Sequence, residues 1–247
     1  MAPSGRRFGV ALAKERLTTD ALLVRLVPYR DADAIVHLFT EQAGAVSAMA
    51  RGARRSKRRF TSLEPMHTLR ATVDLAAGRE LGTLIDTAMV RPRIALTSSL
   101  RAMEAAGRAL RWLRKAAPAR IAEPALWEHT IALLDSLEEV DSSQPDAVDA
   151  LLAGAGVRML AASGWQLELG RCVRCEKPAP ARARTVIDVR AGGVVCQDCG
   201  ATGVTISSAQ RRAMIVAVDG GALDADAAAA VSIVEQAFEA HGRGEAT

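Results

Sequence analysis

The chain has 247 residues, 49% of them hydrophobic and 24% charged, a globular composition with room for one large domain or two to three small ones. It contains no apolar run of about 18 residues or more, which excludes a membrane-spanning helix as an expectation. The formal net charge of +4 conceals an asymmetry: residues 1–60 carry 12 Lys/Arg against 5 Asp/Glu, a net of +7, while the remainder carries 20 against 23, a net of −3.

Charge concentrated in one quarter of a chain suggests a local polyanion site. Arg outnumbers Lys 28 to 4. Codon bias in a GC-rich genome accounts for that ratio as readily as function does, although Arg is the better residue for bidentate phosphate contacts.

The N-terminus "MAPSGRRFGVALAKER" places two arginines before a six-residue apolar run, after which charge resumes. The run is too short for a secretory signal, so the expectation is a cytoplasmic protein with a flexible leader at residues 1–14. Residues 15–90 read as strands. "DALLVRLVPY" is apolar and ends at Pro28. "DAIVHLFT" alternates with the period of two that a half-buried strand needs. "AVSAMARG", "MHTLRATVDL" and "LGTLIDTAMV" follow, the last two separated by "AAGRE" with Gly78 available for a turn. Five short strands in this span suit a small barrel resembling the oligonucleotide-binding (OB) fold. A hairpin-rich SH3-like barrel fits the pattern nearly as well.

Residues 91–171 read as helices. Leu96, Leu100, Met103, Leu110 and Leu113 fall on one helical face. Pro124 suits the first position of a second helix lined by Leu126, Ile131, Leu134 and Leu137. A third apolar stripe begins at Pro145 and meets a stop at Gly164. Residues 200–247 add two more helices that complete the helical domain, with Ser207 and Ser208 as candidate caps.

Between these parts, residues 172–199 carry "CVRC" and "CQDC" in a C-x2-C-x20-C-x2-C arrangement. Two such turns present four sulfurs to a tetrahedral ion. Cys172, Cys175, Cys196 and Cys199 are therefore the candidate ligands of one structural Zn²⁺. Two redox pairs or four ordinary buried thiols are the alternatives. Four thiolates leave no open coordination position, which argues against a catalytic metal. The phosphate-loop, dinucleotide and H-E-x-x-H motifs are all missing, so no enzyme activity is expected. His37, His67, His129 and His241 have no suitably spaced partners. Trp112, Trp127 and Trp165 sit in helical contexts that favour core packing over base stacking.

The densest charge is "MARGARRSKRRF" at residues 49–60. Arg51, Arg54, Arg55, Lys57, Arg58 and Arg59 fall within nine positions, with no carboxylate between Gln42 and Leu63. A solvated loop is the bland reading. A basic groove on a small barrel, tracking a phosphate backbone, is the functional one. Arg25 and Arg30, from the first strand and its exit turn, are candidates to join that DNA-binding surface.

These features resemble the RecO family of bacterial recombination and repair mediators. The resemblance is carried by Phe39-Thr40, Gly44, "ARGARRSKRR", Leu63-Glu64-Pro65-Met66, "LLAASGWQLELGRCVRC" and the second C-x2-C pair. It implies an N-terminal OB-fold at residues 15–90, a helical domain at 91–171 plus 200–247, and a zinc-ribbon-like insertion at 172–199: an α+β multidomain chain. It also implies binding to single- and double-stranded DNA and annealing of complementary strands. The implied partners are RecR and single-strand-binding protein, acting in loading of the RecA filament near the nucleoid, away from any membrane. Many members end in a basic tail; this chain ends in "EQAFEAHGRGEAT". The rival readings are a zinc-stabilised protein-interaction adaptor that binds no DNA and a nucleic-acid-modifying enzyme.

Overall fold

A computed structural model describes residues 14–56, 58–60, 63–141, 143–223 and 225–242. They form two compact units, one comprising residues up to 38 plus 46–90, the other comprising 39–45 plus 91 onward. No described helix is long and apolar enough to cross a membrane.

The first architecture is a closed five-stranded barrel. Its strands are β1 (Lys14–Tyr29), β2 (Asp33–Thr40), β3 (Gly44–Ala50), β4 (Thr68–Ala76) and β5 (Leu81–Arg91), in the order β1-β2-β3-β5-β4. β1 pairs antiparallel with β4, from Lys14 opposite Ala76 to Leu22 opposite Thr68. β3 pairs parallel with β5, from Ser47 opposite Leu81 to Met49 opposite Thr83. A parallel pair needs a crossover, and here residues 51–80 supply it. That pairing separates this OB-like barrel from the hairpin-rich SH3-like alternative. The interior is built of Val36, Leu38, Val46, Ala48, Leu69, Ala71, Val73 and Leu84, all nearly inaccessible to solvent. Burying each larger aliphatic side chain contributes about 1.5–3 kcal/mol.

β1 is longer than the sequence pattern indicates. It begins at Lys14, inside the expected leader, and continues through Pro28 to Tyr29. Its first half lacks apolar alternation because it is held by polar cross-strand pairs. Arg16 donates to Asp74 at 2.7 and 2.9 Å, and the Thr18 and Thr72 hydroxyls meet at 3.3 Å. The rest of the expected leader, residues 1–13, lies outside the described residues.

The second unit holds a 3-10 turn (Ile94–Ser98) and five helices: α1 (Leu100–Ala116), α2 (Pro124–Glu139), α3 (Pro145–Ala162), α4 (Ser208–Val218) and α5 (Ala227–His241). It also holds a small sheet of β6 (Thr185–Asp188), β7 (Gly193–Val195) and β8 (Val204–Ile206), ordered β7-β6-β8. α3 packs against α1, α2, α4 and α5. Most of it is accordingly buried, from Val148 through residues 152–157 to Met159 and Leu160, while its charged Asp149 and Arg158 turn to partners, Arg101 and Ala217 O. Its end is a Schellman motif: Trp165 N–H donates to Leu160 O at 2.8 Å, Gly164 N–H donates to Ala161 O at 3.0 Å, and Gly164 takes φ +75°.

The core face of α1 differs from the leucine stripe expected. Leu96 belongs to the 3-10 turn, Leu100 is 71% exposed, and the buried face runs through Ala102, Ala105, Ala106, Ala109, Leu110, Trp112 and Leu113. The expected Leu110 and Leu113 are thus on the buried face, which small alanines and Trp112 complete. On α2, Leu126, Leu134 and Leu137 are buried as expected, while Leu133 rather than Ile131 completes the stripe.

A dense contact fastens α3 to α5 and α1. Trp112 stacks on Phe238 with centroids 5.5 Å apart, and Trp165 meets Phe238 edge-on at 6.0 Å. A Cβ on Gly156 would fall 2.6 Å from Val234 Cγ1 and 2.8 Å from Trp112 Cζ3. Gly156→Ala should therefore destabilise the helical unit by about 1–3 kcal/mol, the usual cost of overpacking. A lowered urea midpoint read by tryptophan fluorescence checks this, and an unchanged midpoint would contradict the packing described.

Candidate nucleic-acid interface and metal centre

The basic segment opens the crossover between β3 and β5. It consists of turns, and backbone bonds pin it to the barrel. Arg54 N–H donates to Ala32 O at 3.0 Å, Gly52 N–H donates to Asp33 Oδ1 at 2.8 Å, and Ser56 N–H donates to Gly52 O at 2.9 Å. At its far end Phe60 is buried and bridges to Thr87, whose N–H donates to Arg59 O at 2.9 Å. The described part of the segment is thus tied to the barrel at both ends by backbone hydrogen bonds. Asp33 explains much of this, because its carboxylate reaches back from β2 to cap the turn. Asp33 lies 19 residues before Gly52, outside the acid-free stretch of the sequence.

Arg51, Arg54, Arg55 and Arg58 are exposed, and none makes an ion pair with a carboxylate among the described residues. Arg59 behaves differently. Its Nη2 donates to Arg51 O at 2.8 Å and its guanidinium lies 5.1 Å from the centroid of the Phe60 ring. It holds the turn closed, at the cost of being less free for a ligand. Lys57 lies outside the described residues. The bond from Arg54 to Ala32 brings the segment against the β1–β2 turn, which carries Arg30 at φ +53°. Arg25 is exposed on β1.

The four cysteines converge. All four Sγ atoms lie within 4.8 Å of one another, and the Sγ atoms of Cys175 and Cys196 are 3.7 Å apart. Tetrahedral zinc with Zn–S bonds of about 2.3 Å requires sulfurs about 3.8 Å apart, so the donor set and its spacing fit a metal ion. Each C-x2-C turn is set by its backbone. Cys172 N–H donates to Lys177 O and Glu176 N–H to Cys172 O, both at 2.9 Å. Cys199 N–H donates to Cys196 O at 3.1 Å, and Gly200 closes that turn at φ +73°, a conformation that favours glycine.

The backbone also prepares the sulfurs electrostatically. The N–H groups of Cys196 and Arg174 approach Cys172 Sγ at 3.4 and 3.5 Å, and they pull its thiol down to about 6. Cys199 moves the other way, pushed up to about 12 by the neighbouring Cys196 and Cys175 sulfurs. Four crowded thiols cannot all ionise alone; a divalent cation among them reverses that penalty.

Arg211 fastens the cysteine segment to α4. Its buried guanidinium donates to Leu169 O at 2.9 Å and Pro180 O at 2.8 Å, and Arg212 donates to Ala181 O at 3.1 Å. From α5, His241 Nε2 donates to Val189 O at 2.6 Å. Sequence reasoning missed both anchors, because nothing in a run of helical residues marks which arginine turns inward. The other histidines do not gather: His37 meets Ser47 at 3.0 Å on the barrel, and His67 is buried beside Glu64.

Two family models match the chain: Recombination protein O N terminal over residues 15–93, and Recombination protein O C terminal over residues 97–241. Among similar proteins, the DNA repair protein RecO of Anaeromyxobacter sp. (strain K) is 34% identical over 189 residues, covering 75% of this chain and 71% of that protein. The DNA repair protein RecO of Geobacter metallireducens is 33% identical over 196 residues, covering 78% and 76%. That of Anaeromyxobacter sp. (strain Fw109-5) is 32% identical over 235 residues, covering 92% and 88%.

The cap on the arginine turn is open to test. Asp33→Ala removes a charged acceptor from the Gly52 N–H, a contact of about 1.5–3 kcal/mol. The amides of residues 52–56 should exchange faster with deuterium, and trypsin should cut within 51–59 sooner. Unchanged exchange and cleavage would mean that Asp33 does not order the turn.

Proposed function

The chain belongs to the RecO family, and on that premise we propose that it acts in DNA repair and recombination by holding DNA phosphates on the arginine turns of its barrel. The observation that carries this reading is the set of four exposed arginines, Arg51, Arg54, Arg55 and Arg58, held on an ordered turn without carboxylate partners among the described residues. Guanidinium groups in this state neutralise phosphates and release condensed counterions. Arg30 joins them across the β1–β2 turn; Lys57, next to them in sequence, and Arg25, exposed on β1, are included in the reading as further phosphate contacts. Arg59 serves mainly to hold the turn.

Charge neutralisation of this kind brings strands together regardless of sequence, because phosphate contacts carry no base code. The site therefore suits single- and double-stranded DNA and the annealing of complementary strands. The family resemblance supports RecR and single-strand-binding protein as partners, with RecA loading downstream. In this reading the protein is a mediator that binds and positions. It works in the cytoplasm, at the nucleoid.

For the metal, the reading is one structural Zn²⁺ held by Cys172, Cys175, Cys196 and Cys199. The ion would cross-link two turns of a segment with little apolar core of its own. All four positions are filled by thiolate, so its contribution is to folding.

Arg51, Arg54, Arg55 and Arg58 replaced together by Ala, with Arg59 kept, should weaken binding to all oligonucleotides alike. If three or four phosphates are engaged, the slope of log affinity against log salt should fall in magnitude by about 2 to 4. Anisotropy titrations across a salt series measure this. Wild-type affinity and slope in the variant would remove the arginine turns from the DNA surface, and wild-type protein that binds no oligonucleotide would favour the adaptor reading.

Purified protein should contain about one zinc per chain by elemental analysis. Stripping it with a chelator, or Cys175→Ser, should expose residues 166–206 to protease while leaving the barrel's strands protected. Well under one zinc per chain, with four freely titratable thiols, would overturn the assignment.

A further inference from the structure

We propose that Tyr29 is a base-stacking platform at the edge of the arginine turns, so that this site prefers the unstacked bases of single strands to duplex. The proposal rests on the reading of those turns as a DNA surface and adds to it a contact that phosphates cannot supply.

Aromatic residues make up only 3% of the chain, and Tyr29 is its single tyrosine. The tryptophans, the first residues to suspect, are occupied. Trp112 and Trp165 pack on Phe238, and Trp127 lies 5.9 Å from Phe39. Among the described residues Tyr29 is the exposed aromatic, at 39%. It is the last residue of β1, at the mouth of the β1–β2 turn, one of the loops with which barrels of this fold contact oligonucleotides.

Its neighbours fix its role. Three residues later, Ala32 O accepts the Arg54 N–H at 3.0 Å, and the adjacent Asp33 carboxylate caps Gly52. Three residues span at most about 11 Å, so the ring sits within reach of the same strand that the arginines would hold. Arg30 adopts a left-handed φ of +53° and places its guanidinium carbon 5.2 Å from the ring centroid. A cation over a ring braces it and adds positive charge to the platform. A base in duplex has both faces covered by its neighbours, whereas a base in a single strand offers a face to any flat partner.

The test compares wild type, Tyr29→Ala and Tyr29→Phe in anisotropy titrations. The probes are an oligothymidine, the same backbone made abasic throughout, and a duplex. Tyr29→Ala should lose roughly 5- to 100-fold in affinity for oligothymidine, the range for one stacked base. It should change the abasic strand and the duplex by no more than about twofold, and should leave the salt slope as it was, since no phosphate contact is lost. Tyr29→Phe should retain binding, because the ring face does the work. Irradiation of a 5-iodouracil-containing strand should cross-link to the peptide carrying Tyr29. The proposal fails if Tyr29→Ala binds oligothymidine as wild type does, or weakens all three probes equally. Those results, with the arginine variant still defective, overturn stacking alone. An arginine variant that binds normally overturns the surface itself, and the stacking proposal with it.

Discussion

Because β3 runs parallel to β5, their connection cannot be a tight hairpin. The chain must leave β3, travel around the barrel, pass through β4 and return. Residues 51–67 are the first part of that journey, and the arginines are written there. A crossover has spare length, and spare length tolerates a composition that no strand would accept. The remaining requirement is order. The β1–β2 turn meets it by offering Ala32 O and the Asp33 carboxylate to the segment's backbone, and Phe60 meets it by returning to the barrel beside Thr87. The candidate surface is thus a product of strand topology first and of charge second.

The helical unit solves a different problem. A segment with four cysteines and three very short strands buries little apolar surface, and small domains of this kind need a metal or a disulfide. Here the sheet of β6, β7 and β8 also leans on its host. Arg211 carries a buried guanidinium that finds two carbonyl oxygens and no carboxylate among the described residues, and His241 reaches Val189 O from α5. The packing of α3 against α4 and α5, close enough at Gly156 to leave no room for a Cβ, keeps both helices in place to make those bonds.

Much of this was legible in the sequence. The strand β2 was readable residue for residue, because one of its faces is buried and alternation of period two reports that directly. The cysteine spacing announced a shared site, since each C-x2-C turn pairs two sulfurs through local backbone geometry, while bonds such as Val173 N–H to Val194 O join the two turns. What escaped was whatever depended on distant partners. The first half of β1 looked like leader because polar pairs with β4 hold it. The face of α1 is legible at Leu110 and Leu113, which are buried, but not at Leu100, which is exposed, nor in the alanines that fill the rest of the face. Asp33 and Arg59 were invisible as turn-holders, since each acts across a gap that only the folded chain closes.

The ordered turn has an electrostatic consequence. Two unit charges about 6 Å apart in water repel by about 0.7 kcal/mol, and salt at physiological strength screens such pairs over about 8 Å. Several arginines gathered on one turn therefore destabilise it by an amount comparable to the one or two backbone hydrogen bonds, at about 0.5–1.5 kcal/mol each, that hold it. The backbone bonds and the Asp33 cap hold the turn formed against that repulsion. A polyanion on this candidate surface would remove the repulsion and leave the bonds. A loose loop with the same arginines would have to give up its backbone freedom on binding. The capped turn has given up most of that freedom during folding, and the Asp33 carboxylate has achieved this by bonding to a backbone N–H while the exposed guanidinium groups around it keep their charge for the ligand.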